Sequence, residues 1–338
     1  MFTRPVDLED AAVVECLSDA WGVVVDTIEY QPVGFGSHHW AASDGSRRWF
    51  VTVDDLDTRL LDDRDDRAAA FGRLNAALSA ARALHVRGRH WVVAPLPTRA
   101  GEVVEAIDDR FVCAIYPFVD GRSSSSGHYD SDDERRAVVS RLVELHRTPP
   151  SVDATPIVED HRIPRRDSLQ AALADLDRPW RTGPHSDATR LLLAQHRLAV
   201  VEVLDRYDDL TDTVRSVSSP VITHGEPHRG NVIMAADGPA VIDWDTTRFA
   251  PAERDLWSLI DEDRTIRALY EHSSETRLDD RVLSLYRLSW DLCEIALFIH
   301  EFRQPHTHTA DTATAWNGLT NHLDPSRWTD TLRPRQRT

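Results

Sequence analysis

The sequence predicts an α+β chain in two lobes, a small mostly-β first lobe followed by a larger mostly helical one. Two patterns carry this expectation. Up to about residue 116 the β-branched and aromatic residues fall in short runs broken by glycine, whereas farther on apolar residues recur at three- and four-residue steps. With 338 residues, 41% of them hydrophobic, the chain can build two packed cores with a cleft between them.

Val23–Val33 and Arg48–Val53 read as strands, with Gly34 and Gly36 breaking the run between them. Between Arg64 and Val86, Phe71, Leu74, Leu78, Ala81 and Leu84 mark the apolar face of a helix expected to pack on that sheet. Trp91–Ala94 and Phe111–Tyr116 supply two further strands. At Tyr116-Pro117-Phe118-Val119-Asp120-Gly121, proline and glycine end a strand and a polar run follows, so the lobe boundary is placed there. The first lobe is then residues 1–118, the hinge lies at about 116–121, and the second lobe is 119–338. Ser123–Ser126 reads as a flexible linker. Helical periodicity covers Glu134–His146, Ser168–Leu176, Thr189–Tyr207 and Val282–Phe302, interrupted by a compact β segment from Val221 to Trp244.

Charge and composition exclude several function classes. Acidic residues number 56 against 39 basic ones, a formal net charge of −17, which repels nucleic acid and attracts cationic ligands. Every basic residue is arginine; the chain has no lysine. Cys16, Cys113 and Cys293 are far apart among apolar neighbours, as expected of reduced core thiols. No stretch approaches the roughly 18–20 apolar residues that span a bilayer, and the first ten residues are charged, so a cytoplasmic protein with no membrane partner is expected.

The chemistry is concentrated in the β segment. His224-Gly225-Glu226-Pro227-His228-Arg229-Gly230-Asn231 is followed by a short strand, an Asp237-Gly238 turn, a second strand and Ile242-Asp243-Trp244-Asp245. A carboxylate, an amide one turn later and a second carboxylate beyond a tight hairpin are what phosphoryl transfer requires. Glu226 would face an acceptor hydroxyl, while Asn231 and Asp243 would present oxygens to one hard cation.

Thr223–Leu256, including Phe249-Ala250-Pro251-Ala252-Glu253-Arg254-Asp255-Leu256, resembles the aminoglycoside phosphotransferase and choline kinase superfamily, with spectinomycin-kinase-like members nearest. Cys113–Gly121 is similar to its hinge and Leu142–Pro149 to its Leu-His-x-x-Pro helix end. The resemblance implies a bilobal protein-kinase-like fold and an ATP- or GTP-dependent, Mg²⁺-dependent phosphotransferase for a small, hydroxylated, cationic acceptor such as an aminoglycoside, aminocyclitol, amino sugar or amino alcohol. Carried over residue by residue, it makes Glu226 the catalytic base, Asn231 and Asp243 the magnesium ligands and Asp245 an acid beside them. Gly34, Gly36, Ser37 and His38 would cover the phosphates, and backbone groups of Tyr116, Pro117 and Phe118 would bind a purine. His224, Arg254 and Asp255 are expected to brace the loop.

Two departures from the family stand out. Glu226 occupies the base position normally held by Asp, moving the carboxylate by about one methylene. Thr52 stands where the family has a phosphate-binding Lys, and the Arg64–Val86 helix has no Glu to pair with one. Arg48, on the same strand face as Thr52, and the His38-His39 pair are the replacements considered. Asp291 and Glu294, three apart on a late helix, are candidates for holding a substrate amine. His306-x-His308 falls short of a metal site. Two alternatives remain: a degenerate kinase that binds nucleotide with little turnover, and a kinase fold used for another transfer from ATP, such as nucleotidyl transfer.

Overall fold

The computed structural model describes residues 1–124, 129–149, 156–214, 220–260 and 264–329; the expected linker Ser123–Ser126 lies partly outside them. The architecture is mixed α+β, with a β-sheet N-terminal region and a helical C-terminal region. The chain forms two compact units, one of residues 1–59, 66–159 and 219–278, the other of 60–65, 160–218 and 279–338. These units cut across the boundary expected at 116–121, because the segment bearing Glu226 and Asp243 shares a unit with the N-terminal sheet.

In the first unit, β1 (Thr27–Gln31), β2 (His38–Ser43), β3 (Arg48–Asp55), β4 (Glu105–Ala106) and β5 (Phe111–Pro117) form an antiparallel sheet in the order β1-β2-β3-β5-β4. The periodicity missed β2, whose His-His-Trp-Ala-Ala-Ser sequence has no β-branched residue but alternates buried and half-buried positions. One sheet face is filled by Trp40, Trp49, Val51, Val53, Cys113 and Ile115. They pack with Val13 and Cys16 of α1 (Asp10–Cys16) and with Leu17, so α1 and not the longer helix covers this core. That longer helix, α2 (Arg67–Val86), starts at Asp66, whose carboxylate accepts the Ala69 N–H at 2.8 Å; its neighbours are the 56–59 turn and β6 (Ile157–Val158).

β6 lies beside β10 (Arg248–Ala250), which pairs in turn with β7 (Val221–Thr223). β8 (Val232–Ala235) and β9 (Gly238–Val241) make the hairpin expected from the Asp237-Gly238 turn. Trp91–Ala94, expected as a strand of the first sheet, instead lies against this hairpin. The Val93 N–H reaches the Val241 carbonyl at 2.9 Å and the Val241 N–H reaches Trp91 at 2.8 Å. On β8, Arg122 and Met234 exchange backbone hydrogen bonds of 3.1 and 3.0 Å. Gly121 permits that approach, since a Cβ there would meet the Met234 carbonyl at 2.8 Å. α3 (Asp132–His146), capped by Ser131, packs on α7 (Arg264–Ser274), and the short α6 (Glu253–Leu256) follows β10.

The second unit is helical: α4 (Arg166–Ala174), α5 (Ser186–Val214), α8 (Asp280–Arg303) and α9 (Ala310–His322), closed by a 3₁₀ turn at Pro325–Trp328. α8 packs against the other three helices. None of the described helices is long and apolar enough to cross a membrane. Asp291, in the middle of α8 and 1% exposed, accepts hydrogen bonds from His322 Nδ1 at 2.8 Å, Arg327 Nη2 at 2.8 Å and Trp328 Nε1 at 2.9 Å. The expectation that Asp291 holds a substrate amine is corrected here, because its oxygens already anchor the end of the helical unit.

Burial pushes the Asp291 carboxyl upward, but the hydrogen bonds from His322 and Arg327 outweigh it and hold it below its ordinary value. A depressed carboxylate stabilises the fold above its unfolded pKa of about 3.9, and the contribution fades as pH falls through the lower folded value. Asp291→Ala leaves buried donors unpaired and should cost roughly 3–5 kcal/mol at pH 7, read from urea unfolding. An unchanged midpoint would contradict the anchoring role.

Candidate functional site

The loop carrying Glu226 is fixed by a buried carboxylate. Asp255, fully buried in α6, accepts the backbone N–H groups of His224 at 2.9 Å and Gly225 at 2.5 Å, and His146 Nε2 at 3.0 Å. Burial raises the pKa of this carboxyl, but the His146 hydrogen bond and the nearby His224 and Arg254 bring it below the usual range. His146 comes from the end of α3 and meets the Tyr270 hydroxyl of α7 at 2.7 Å. Gly225 turns with φ +104°, and an added Cβ would sit 2.4 Å from Arg254 Nη2, so only glycine fits. Arg254 donates to Thr223 Oγ1 at 3.0 Å and to the Thr246 carbonyl at 2.8 Å, bracing both ends of the motif.

His224 ties the backbone of Glu226 to the residue before Asp243. Its Nδ1 accepts the Glu226 N–H at 3.1 Å, so Nε2 carries the proton and donates to the Ile242 carbonyl at 2.8 Å. Burial lowers its pKa, as this neutral pairing needs, and the ring stands edge-on to Trp244 at 4.6 Å. Asn231 donates through Nδ2 to the Glu226 carbonyl at 3.0 Å, and its own carbonyl accepts the Ile242 N–H at 3.0 Å. This orientation leaves Oδ1 as the side chain's ligating atom. Arg229, fully buried, steadies the turn through the carbonyls of Val232 at 2.6 Å and Arg122 at 3.2 Å.

Asp243 adopts φ +66°, a left-handed conformation rare for a residue with a Cβ, and it is solvent-accessible, as a ligand for an incoming cation must be. The protein packed around its carboxyl pushes the pKa well up; Asp245, Glu226 and Asp54 add to this and Arg59 opposes it. Asp243 thus feels three other carboxylates and one guanidinium, an arrangement a divalent cation would relieve. Among the described residues no three His, Cys, Asp or Glu side chains form a self-contained metal cage. One carboxylate and one amide, completed by phosphate oxygens and water, fit magnesium better than a dedicated cage would.

The nucleotide-side residues are placed less uniformly. Gly34 and Gly36 have φ of +73° and +102° and shape the β1–β2 loop. Ser37 Oγ donates to Asp54 at 2.6 Å. His38 turns into the core beside Tyr30 and Trp40, whereas His39 shares the Thr52 face at 3.4 Å from its hydroxyl, so the two histidines do not act as a pair. Desolvation, helped by nearby positive groups, lowers His39 to about 3, so it brings no positive charge at neutral pH. Arg48 is spent at the surface, on Asp120 at 2.8 Å and over the Phe118 ring at 4.0 Å, and does not replace the lysine.

In the segment expected as the hinge, the Phe118 N–H donates to the Arg48 carbonyl at 3.3 Å, and by the alternation of an antiparallel ladder Tyr116 also directs its backbone groups at β3. The backbone groups of Ile115 and Pro117 therefore face the other edge, where Leu96 takes the Ile115 carbonyl at 2.8 Å. Of the three residues expected to bind a purine, Pro117 retains an outward carbonyl. Tyr116 contributes its phenol, which burial and the nearby Asp54, Asp243 and Asp245 keep protonated.

Asp245 accepts Arg59 Nη2 at 2.6 Å, so the acid expected beside the metal is held by a cation that lies outside the sequence motifs. The signal for Arg59 was present: with no lysine in the chain, it is the next cation after Asp54, which continues the strand face of Arg48 and Thr52. In the helical unit, half-buried Glu294 is pushed up to about 7 by desolvation and by Asp291, so it is only partly ionised at neutral pH. The same unit has a cavity of about 680 Å³ lined by Asp62, Asp160, Asp167, Asp208 and Asp212 against Arg162 and Arg166; Glu226, Asn231 and Asp243 do not line it.

Comparison with known proteins places this geometry. A relative, Protein StrN of Streptomyces griseus, is 27% identical over 272 residues, covering 76% of this chain and 79% of its own. Spectinomycin phosphotransferase APH(9)-Ia, solved with ADP and spectinomycin, matches at a TM-score of 0.73 and 16% identity over 97% of this chain and 100% of that chain. Amicoumacin kinase hAmiN, solved with AMP-PNP and Ca²⁺, matches at 0.59 and 13% identity over 94% of each chain. Such structural likeness speaks for the fold. Residues 30–295, which include the β1–β2 loop, the Glu226–Asn231 loop and Asp243, match the phosphotransferase enzyme family, APH, and the chain belongs to that family.

Proposed function

We propose that the protein is a cytoplasmic O-phosphotransferase that uses ATP, or GTP, with Mg²⁺ to phosphorylate a small, hydroxylated, cationic molecule such as an aminoglycoside, aminocyclitol, amino sugar or amino alcohol. The observation that carries this reading is the pair of bonds from His224, which lock the backbone of Glu226 to the residue before Asp243. An acceptor-side carboxylate and a metal-side carboxylate are thereby held in one rigid frame. Support for a cationic acceptor comes from the net charge of −17. The structural neighbour named for spectinomycin is consistent with that substrate class.

In this reading residues 116–121 act as the hinge, and Asn231 and Asp243 would hold the magnesium ion, which neutralises the triphosphate when bound. Glu226 accepts the acceptor hydroxyl's proton as that oxygen bonds to the γ-phosphorus. The bond to the β,γ-bridging oxygen breaks, and the nucleoside diphosphate leaves with the electron pair. The extra methylene of Glu226 is accommodated by an acceptor pocket shaped around it. Thr52 and the neutral His39 at the lysine position favour one second reading, a nucleotide-binding protein without turnover.

Glu226→Gln should lower kcat by roughly 10² to 10⁴ while nucleotide affinity stays within about twofold. Asp243→Ala should abolish Mg²⁺-dependent nucleotide binding in calorimetry, because the carboxylate supplies the charge at the metal position. Wild-type turnover in the Gln variant would remove Glu226 as the base. Wild-type affinity in Asp243→Ala would overturn the metal assignment.

A further inference from the structure

We propose that Arg59, delivered from the turn after β3, is the cation that grips the nucleotide's phosphates in place of the absent strand lysine, with Asp54 as its anchoring carboxylate. The inference rests on the phosphotransferase reading above and names a residue that the family's motif does not. Arg59 lies in the 3₁₀ turn Leu56–Arg59 and is the point where three candidate parts of the site meet. Its Nε and Nη2 reach Asp54 Oδ1 at 3.1 and 2.6 Å, its Nη2 reaches Asp245 at 2.6 Å, and Ser37 Oγ of the β1–β2 loop is 3.3 Å away. One guanidinium thereby touches the strand face of the missing lysine, the loop expected over the phosphates and the segment that carries the metal ligand.

The fork is held from one side. Asp54 and Asp245 occupy Nε and Nη2, whereas Nη1 has no hydrogen-bond partner among the described residues, and the side chain is 22% exposed. An oriented guanidinium with a spare nitrogen suits a phosphate oxygen, which arginine binds through its planar fork. Burial works against this charge, but Asp54 and Asp245 prevail and hold the pKa above its ordinary value, so the group is always cationic.

Neither Arg48 nor His39 competes with Arg59 for this role. Arg48 is committed to Asp120 and Phe118, and His39 is neutral. Asp54 is 2% exposed and shares the strand face of Thr52, so it can anchor a cation there without help from α2, which has no glutamate. Both halves of the missing lysine–glutamate pair reappear, shifted two residues along the strand and into the turn beyond it.

Binding of a non-hydrolysable ATP analogue with Mg²⁺, and of adenosine, should be measured by calorimetry for wild type, Arg59→Ala, Arg59→Gln and Arg59→Lys, with thermal unfolding as the folding control. Loss of Arg59 in the Ala and Gln variants should weaken the triphosphate roughly 10- to 100-fold, about 1.4–2.8 kcal/mol at about 1.4 kcal/mol per tenfold, with adenosine unchanged. Lys should recover most of the loss. Triphosphate affinity that is unchanged in the folded Gln variant, or an equal loss for adenosine and triphosphate, would overturn the proposal and leave the phosphotransferase reading standing. A wild-type protein that binds no nucleotide would overturn both.

Discussion

The site depends on one buried carboxylate. Asp255 carries its charge where no water reaches it, at a cost that only several well-aimed donors can offset. Two of those donors are consecutive backbone N–H groups of the Glu226 loop, and the third is His146 from α3. The loop conformation is therefore coupled to helix packing, since moving the loop would strand a buried charge. Gly225 and Arg254 act on the same constraint, one by admitting the turn and the other by bracing its flanks. His224 passes this rigidity on to Asp243, and Asn231 passes it back to Glu226. A phosphotransferase has little covalent chemistry to perform, so such positioning accounts for most of what the protein contributes.

Around that frame the electrostatics are deliberately unbalanced. Desolvation pushes the Asp243 carboxyl upward, and the nearby Asp245, Glu226 and Asp54 push it further. Arg59 moderates the repulsion without cancelling it, which leaves a strong demand for further positive charge. In the proposed function the cation held by Asn231 and Asp243 would bring that charge, and the negatively charged phosphates would meet Arg59. In a chain without lysine, the proposed replacement for the family's strand lysine is an arginine presented from a turn and not from the strand itself.

Much of this was legible in the sequence, for identifiable reasons. The Asp237-Gly238 hairpin follows from turn chemistry and forms as expected, and the bracing of the loop by His224 and Asp255, which the family resemblance implies, has hydrogen bonds to match. What was not legible depended on long-range contacts. Trp91–Ala94 has strand composition but lies against β9, and β2 has a strand's alternation without its usual residues. Arg48 and Asp291 have the right residue types on the right faces, yet each is committed to partners distant in sequence, Asp120 for one and the 322–328 segment for the other. Arg59 was passed over for the converse reason, because its role comes from where the turn delivers it and not from strand spacing.

The central claim is that this frame transfers a phosphoryl group and does not merely bind nucleotide. Its most direct test is mass spectrometry of a panel of aminocyclitols, aminoglycosides and amino alcohols incubated with the protein, ATP and Mg²⁺. The account predicts at least one acceptor heavier by a single phosphoryl group, formed in step with ADP and not formed when Mg²⁺ is chelated. Tight nucleotide binding with no phosphorylated acceptor anywhere in the panel would contradict it.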